Sequence, residues 1–189
     1  MRLFTAITFH EDIKSDIYKT IGRLKALSKG GSFTTKDNLH LTMNFIGETN
    51  RLQDVLQVMD QISENIKPPC FTLTVNGLGK FNRREGDIYW LGVEENQILW
   101  RLQRELVKGL KDVGFFDLDD REYKPHLTLG RRVKLKDGFQ PKEFEMGIEP
   151  LQIEVTKISL MKSERLEGKL VYTELYHIPL NDCETLKLP

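Results

Sequence analysis

Two short segments of the chain, NLHLTMNFIG around His40 and PHLTLGR around His126, repeat the tripeptide His-Leu-Thr inside runs where apolar and polar residues alternate. Successive side chains on a strand point to opposite faces. His40, Thr42 and Asn44 therefore share one face while Leu41, Met43 and Phe45 share the other, and His126 and Thr128 sit together in the same way. On each strand the apolar set faces core and the polar set faces a cleft.

The flanking pattern agrees. Arg2 to Phe9 reads as a strand, and Ile13, Ile17, Ile21 and Leu24 form the apolar stripe of a helix before a break at Gly30-Gly31. After the strand Leu39 to Phe45, Leu52, Val55, Leu56, Met59 and Ile62 mark a second helix that ends before Pro68-Pro69. Phe71 to Val75 and Ile88 to Val93 predict strands joined by the turn NRREGD, and Ile98, Leu102, Leu106 and Leu110 a third helix stopped by Gly114. The strand His126 to Leu129, a basic loop from Val133 to Pro150, and two long strands, Leu151 to Met161 and Lys169 to Ile178, complete the chain. Glu167-Gly168 closes that last hairpin. The class is α+β. No linker or low-complexity stretch divides the 189 residues, so they read as one domain.

Charge excludes a global attraction to polyanions. Lys and Arg number 28 and Asp and Glu 28, so any contact with nucleic acid must be local. The amino-terminal apolar stretch is too short for a secretory signal or a membrane span. The expectation is a cytoplasmic protein with no membrane association, in which Cys70 and Cys183 are reduced structural thiols.

A matched pair of histidines suits one chemistry in particular. Hydrolysis of a cyclic phosphodiester needs a base for the attacking water and an acid for the leaving ribose oxygen, in line across phosphorus. Imidazole titrates near pH about 6.5, so one neutral and one protonated copy coexist near neutrality. Thr42 and Thr128, two residues on, aim hydroxyls into the same space as donors to a nonbridging phosphate oxygen. Neither motif says which histidine is the acid. A metallohydrolase would need three or four ligands, and no HxxxH, HxH or acidic cluster accompanies the pair. His10 and His177 lack the following threonine and read as structural or exposed.

At RLFTAI, NLHLTMNFIG, FTLTVNGLGKF, IYWLGV and PHLTLGR, in that order, the sequence resembles the two-histidine phosphoesterases, and among them the RNA 2′,3′-cyclic phosphodiesterases of the LigT-like, 2′-5′ RNA ligase family. The resemblance covers nearly the whole chain. It implies a bilobal fold, with two pseudo-symmetric lobes whose antiparallel sheets, flanked by helices, face a central cleft, and no cofactor or metal. It implies that His40 protonates the leaving 3′ oxygen and His126 activates water, leaving a 2′-phosphate. It also implies an arginine after the second motif, Arg131, on the phosphate. Strict alternation favours Arg132 instead, so Arg131 needs a bulge to reach. Phe4, Tyr89 and Trp90 are candidate stacking surfaces for a base, and Arg83, Arg84, Arg132, Lys134 and Lys136 a basic rim.

The substrate expected is RNA ends or nucleotides carrying a 2′,3′-cyclic phosphate, acted on by a monomer, with ligation as the reverse reaction. Two alternatives stand beside it: a phosphodiesterase for a small cyclic nucleotide or 2′-5′ oligonucleotide, and a noncatalytic module that binds RNA ends. Relatives often carry prolines where the segment after GLGKF is polar here, which leaves substrate preference open.

Overall fold

The computed structural model describes residues 1–119 and 122–183. Nine strands and four α-helices follow one another as β1 (Arg2–Thr8), α1 (Glu11–Ala26), β2 (Ser28–Phe33), a 3-10 turn (Lys36–Asn38), β3 (His40–Glu48), α2 (Leu52–Ile66), β4 (Phe71–Phe81), β5 (Asp87–Val93), α3 (Gln97–Asp112), β6 (His126–Leu135), α4 (Pro141–Met146), β7 (Leu151–Val155), β8 (Lys157–Leu166) and β9 (Lys169–Pro179). All strand pairs are antiparallel. They make a four-stranded sheet in the order β3-β1-β8-β9 and a five-stranded sheet in the order β2-β6-β5-β4-β7. The expected α+β class and two antiparallel sheets flanked by helices are what the chain forms.

The helical stripes find the core as their spacing predicts. Ile17, Ile21 and Leu24 of α1, Val55, Val58, Met59 and Ile62 of α2, and Leu99, Leu102, Leu106 and Leu110 of α3 are all buried in one continuous apolar core with Leu3, Ile7, Leu41, Leu73, Leu91 and Leu127 from the sheets. Helices α2 and α3 lie against each other and against β9 and β3, while α1 and α4 lie against β2, β6 and β4. Each sheet thus has one face covered by helices. Its other face carries the histidine strand's polar row.

The sequence pattern misplaced several boundaries. Gly30-Gly31 is not a break but the middle of β2, an edge strand on β6. Its backbone passes so close to Val133 that a Cβ on Gly31 would sit 3.1 Å from that residue, and Gly31 takes φ +151°, a region suited to glycine. The basic loop expected from Val133 to Pro150 begins as the end of β6 and contains α4, started by Pro141 in the first turn. The single strand expected over Leu151 to Met161 is two: at Thr156 the chain leaves the five-stranded sheet as β7 and enters the four-stranded sheet as β8.

The cysteines also depart from expectation. Asn181 accepts from the Cys70 amide at 2.8 Å and donates its own amide to Pro68 at 2.8 Å, so the segment after β9 pairs with the start of β4. That pairing brings Cys183 to Cys70, Cα atoms 5.0 Å apart, as a disulfide rather than two reduced thiols. A separation of 113 residues hid the pair from any local motif. Among the described residues no helix is long and apolar enough to cross a membrane. Closing so long a loop stabilises by about 4–5 kcal/mol in the chain-entropy view. Alkylation of the unfolded, unreduced protein should add no label, and reduction should lower Tm by several degrees; uptake of two labels without reductant would contradict the pairing.

Candidate active site

Both imidazoles are fixed by the same backbone device. His40 Nδ1 lies 2.8 Å from the Asn38 carbonyl oxygen, and His126 Nδ1 lies 2.7 Å from that of Lys124, in each case two residues upstream. A carbonyl oxygen only accepts, so each Nδ1 carries hydrogen, and in the neutral ring each Nε2 holds a lone pair. His40 Nε2 faces the Thr42 hydroxyl at 2.9 Å. His126 Nε2 has no partner among the described residues.

Each ring leans on aromatic walls from its own sheet. Phe4 on β1 and Tyr172 on β9 pack 4.9 and 5.0 Å from the His40 ring. Phe81 on β4 and Trp90 on β5 stand 5.1 and 5.9 Å from the His126 ring. On the first sheet, Phe4, Ala6, Met161 and Tyr172 form a small apolar cluster separate from the main core. Burial lowers the pKa of both imidazoles, because the charged ring loses hydration, and the Arg131 guanidinium lowers both further. The Asn38 and Lys124 carbonyls act in the opposite direction by stabilising the charged ring.

The two arginines separate because of a bulge. Thr128 pairs with Trp90 but Gly130 pairs with the adjacent Tyr89, so β6 carries one extra residue at Leu129. The phase of the strand reverses there. Arg131 then falls on the side of His126 and Thr128, near enough for its charge to act on His126, His40 and Tyr172 alike. Arg132, at φ 55°, turns away and donates to the Ser32 hydroxyl at 2.9 Å. The rival position is thereby engaged at the edge strand β2.

Strand β3 has the matching bulge: Ala6 pairs with Thr42 and Thr5 with Asn44, leaving Met43 extra. This corrects two face assignments made on strict alternation. Asn44 is 6% exposed and turned inward, where it accepts from Gln103 of α3 at 2.9 Å. Phe45 is turned out and 43% exposed, with the Arg2 guanidinium 4.8 Å from its ring centre.

Other expected contacts are placed as follows. Phe4 is only 3% exposed and serves as a wall of His40, which leaves it no free face for a base. Tyr89 is buried beside Phe139. Trp90 borders the His126 ring, while Lys136 donates to the Ala26 carbonyl at 2.8 Å instead of forming a rim. His177 pairs with Glu174 at 3.1 Å on an exposed part of β9.

Sequence reasoning missed four residues. Tyr172 comes from the last hairpin with no local signal. Phe81 ends β4, which runs six residues past the Val75 that alternation marks as its end. Lys124 acts first through its carbonyl, which any residue would supply. Tyr123, whose hydroxyl is pushed up by burial, donates to the Thr42 carbonyl at 3.0 Å and ties the segment before β6 to β3. Among the described residues no group of three or more His, Cys, Asp and Glu side chains is gathered as a metal site.

The chain belongs to the 2′-5′ RNA ligase superfamily, whose family model matches residues 13–167. It is 28% identical over 178 residues to the RNA 2′,3′-cyclic phosphodiesterase of Thermotoga maritima, a match covering 93% of this chain and 94% of that protein. It is 32% identical over 180 residues to the RNA 2′,3′-cyclic phosphodiesterase of Methanocaldococcus jannaschii, covering 91% and 96%. The crystal structure of Escherichia coli LigT complexed with 3′-AMP superposes with a TM-score of 0.76 at 28% identity, over 96% of this chain and 98% of that one.

The pKa directions set a pH dependence. An imidazole whose pKa is lowered loses its acid form at a lower pH than a free one, so the alkaline limb of kcat/KM should fall below pH about 6.5. Arg131→Ala removes a charge that favours the neutral rings and should move that limb to higher pH. A limb above pH 7 in the unaltered protein would contradict the burial described.

Proposed function

We propose that this protein is an RNA 2′,3′-cyclic phosphodiesterase that uses His40 and His126 as a metal-independent acid and base within one domain of two pseudo-symmetric lobes. One observation carries the proposal: both imidazoles hold their Nδ1 hydrogen on a backbone carbonyl, so Nε2 is the atom each ring has for proton exchange, at His40 beside the Thr42 hydroxyl, with the Arg131 charge acting on both rings. The names of the relatives supply the substrate class.

In the free protein both rings are biased to neutrality, as a base requires. The acid must be charged when it acts, and a bound phosphate supplies the negative charge that raises its pKa. Following the family resemblance, His126 Nε2 takes a proton from water as the water oxygen bonds to phosphorus. His40, with hydrogen on both nitrogens, gives its Nε2 proton to the 3′ oxygen as the P–O3′ bond breaks. The product is a 2′-phosphomonoester and a free 3′ hydroxyl. Arg131 and the hydroxyls of Thr42 and Thr128 stabilise charge on the nonbridging oxygens. Ligation is the same displacement with a ribose 5′ hydroxyl attacking phosphorus in place of water: His126 takes its proton, O3′ leaves with the proton of His40, and a 2′-5′ linkage forms.

A short RNA ending in a 2′,3′-cyclic phosphate, incubated with excess chelator, should be converted to the 2′-phosphate. His40→Ala and His126→Ala should each reduce kcat by about 10²–10⁴-fold, and Arg131→Ala by about 10²-fold. Full activity in either histidine variant would remove the acid–base scheme, and dependence on added metal would replace it with another chemistry.

A further inference from the structure

The two histidines stand in unequal surroundings. His40 is closed in by Phe4 and Tyr172, whereas the His126 side offers an aromatic ledge. The six-membered ring of Trp90 lies flat on the sheet over Gly79, where a Cβ would come within 2.0–2.3 Å of three ring carbons. Only a bare backbone at 79 lets the indole settle there. Phe81 continues the surface, its ring centre 5.2 Å from that of Trp90. The Lys124 ammonium hangs over both rings, 5.0 Å from Trp90 and 6.0 Å from Phe81, and has no carboxylate partner among the described residues.

Two further features mark this ledge. The Trp90 indole N–H is buried without an acceptor among the described residues, a rare state for a buried donor. A cavity of about 310 Å³ opens beside it, bordered by Trp90, Lys124, Pro125, Glu95 and Trp100. An aromatic face under an ammonium matches a nucleotide, whose base stacks on the ring and whose phosphate takes the cation.

We propose that Trp90, Phe81 and Lys124 form a subsite for a second nucleotide, the one adjoining the nucleotide that carries the cyclic phosphate. This rests on the phosphodiesterase reading and narrows its substrate class to RNA ends over single nucleotides. The incoming base displaces the Lys124 ammonium from the indole, and the ammonium pairs with the intervening phosphate. Gly79 is a positioning residue that keeps the indole flat.

The test compares kcat/KM on a mononucleotide and a trinucleotide, each ending in a 2′,3′-cyclic phosphate, together with Kd for their 2′-phosphate products by calorimetry. The unaltered protein should favour the trinucleotide by about 10-fold or more in both measures. Lys124→Ala and Gly79→Ala should bring that ratio toward one, mainly through KM, and Lys124→Arg should keep most of it. The ratio within each variant cancels any general effect on His126. Equal handling of both lengths by the unaltered protein, or an undiminished ratio in Lys124→Ala, would overturn the subsite. Absence of all turnover would instead count against the phosphodiesterase reading, while the Kd values still decide the subsite.

Discussion

The site hangs on two backbone hydrogen bonds. The carbonyls of Asn38 and Lys124 each sit two residues ahead of a histidine and take the hydrogen of its Nδ1. This bond fixes the ring's rotation and tautomer together, so in each neutral ring Nε2 holds the lone pair. Because the acceptor is backbone, it depends on how the chain enters β3 and β6. The 3-10 turn before β3 supplies that geometry on one side. On the other, Lys124 and Pro125 lead into β6, and the Tyr123 hydroxyl anchors that approach to the Thr42 carbonyl.

Next in importance is the extra residue after each threonine. The bulges at Met43 and Leu129 break both motif strands at the same step, and each reverses the faces beyond it. On β6 this delivers Arg131 to the histidines; on β3 it delivers Phe45 to the surface and sends Asn44 inward. The three matched positions are histidine, threonine and then a residue five after the histidine. Strand β6 thus presents a cation there and β3 an aromatic ring capped by Arg2.

What was legible in the sequence follows from the range of each interaction. The α+β class, the three long helices and the His-Leu-Thr strands rest on spacing within ten or fifteen residues, which periodicity reports directly. Glycine misled at Gly30-Gly31, where close approach to Val133 rather than a turn requires it. Alternation failed past Thr42 and Thr128 because a bulge is a property of a strand pair, and no single strand announces it. Tyr172 and the Cys70–Cys183 bond join segments far apart in sequence, so neither leaves a local trace. Lys124 escaped notice because its first role belongs to a carbonyl.

The most direct measurement is the imidazole nitrogen spectrum of selectively ¹⁵N-labelled protein through a pH titration, with His40→Ala and His126→Ala assigning the signals. Both rings should hold hydrogen on Nδ1 when neutral and titrate below the ordinary histidine value, and both should shift upward in Arg131→Ala. A neutral ring with hydrogen on Nε2 at either position, or titration above that value in the unliganded protein, would contradict that assignment.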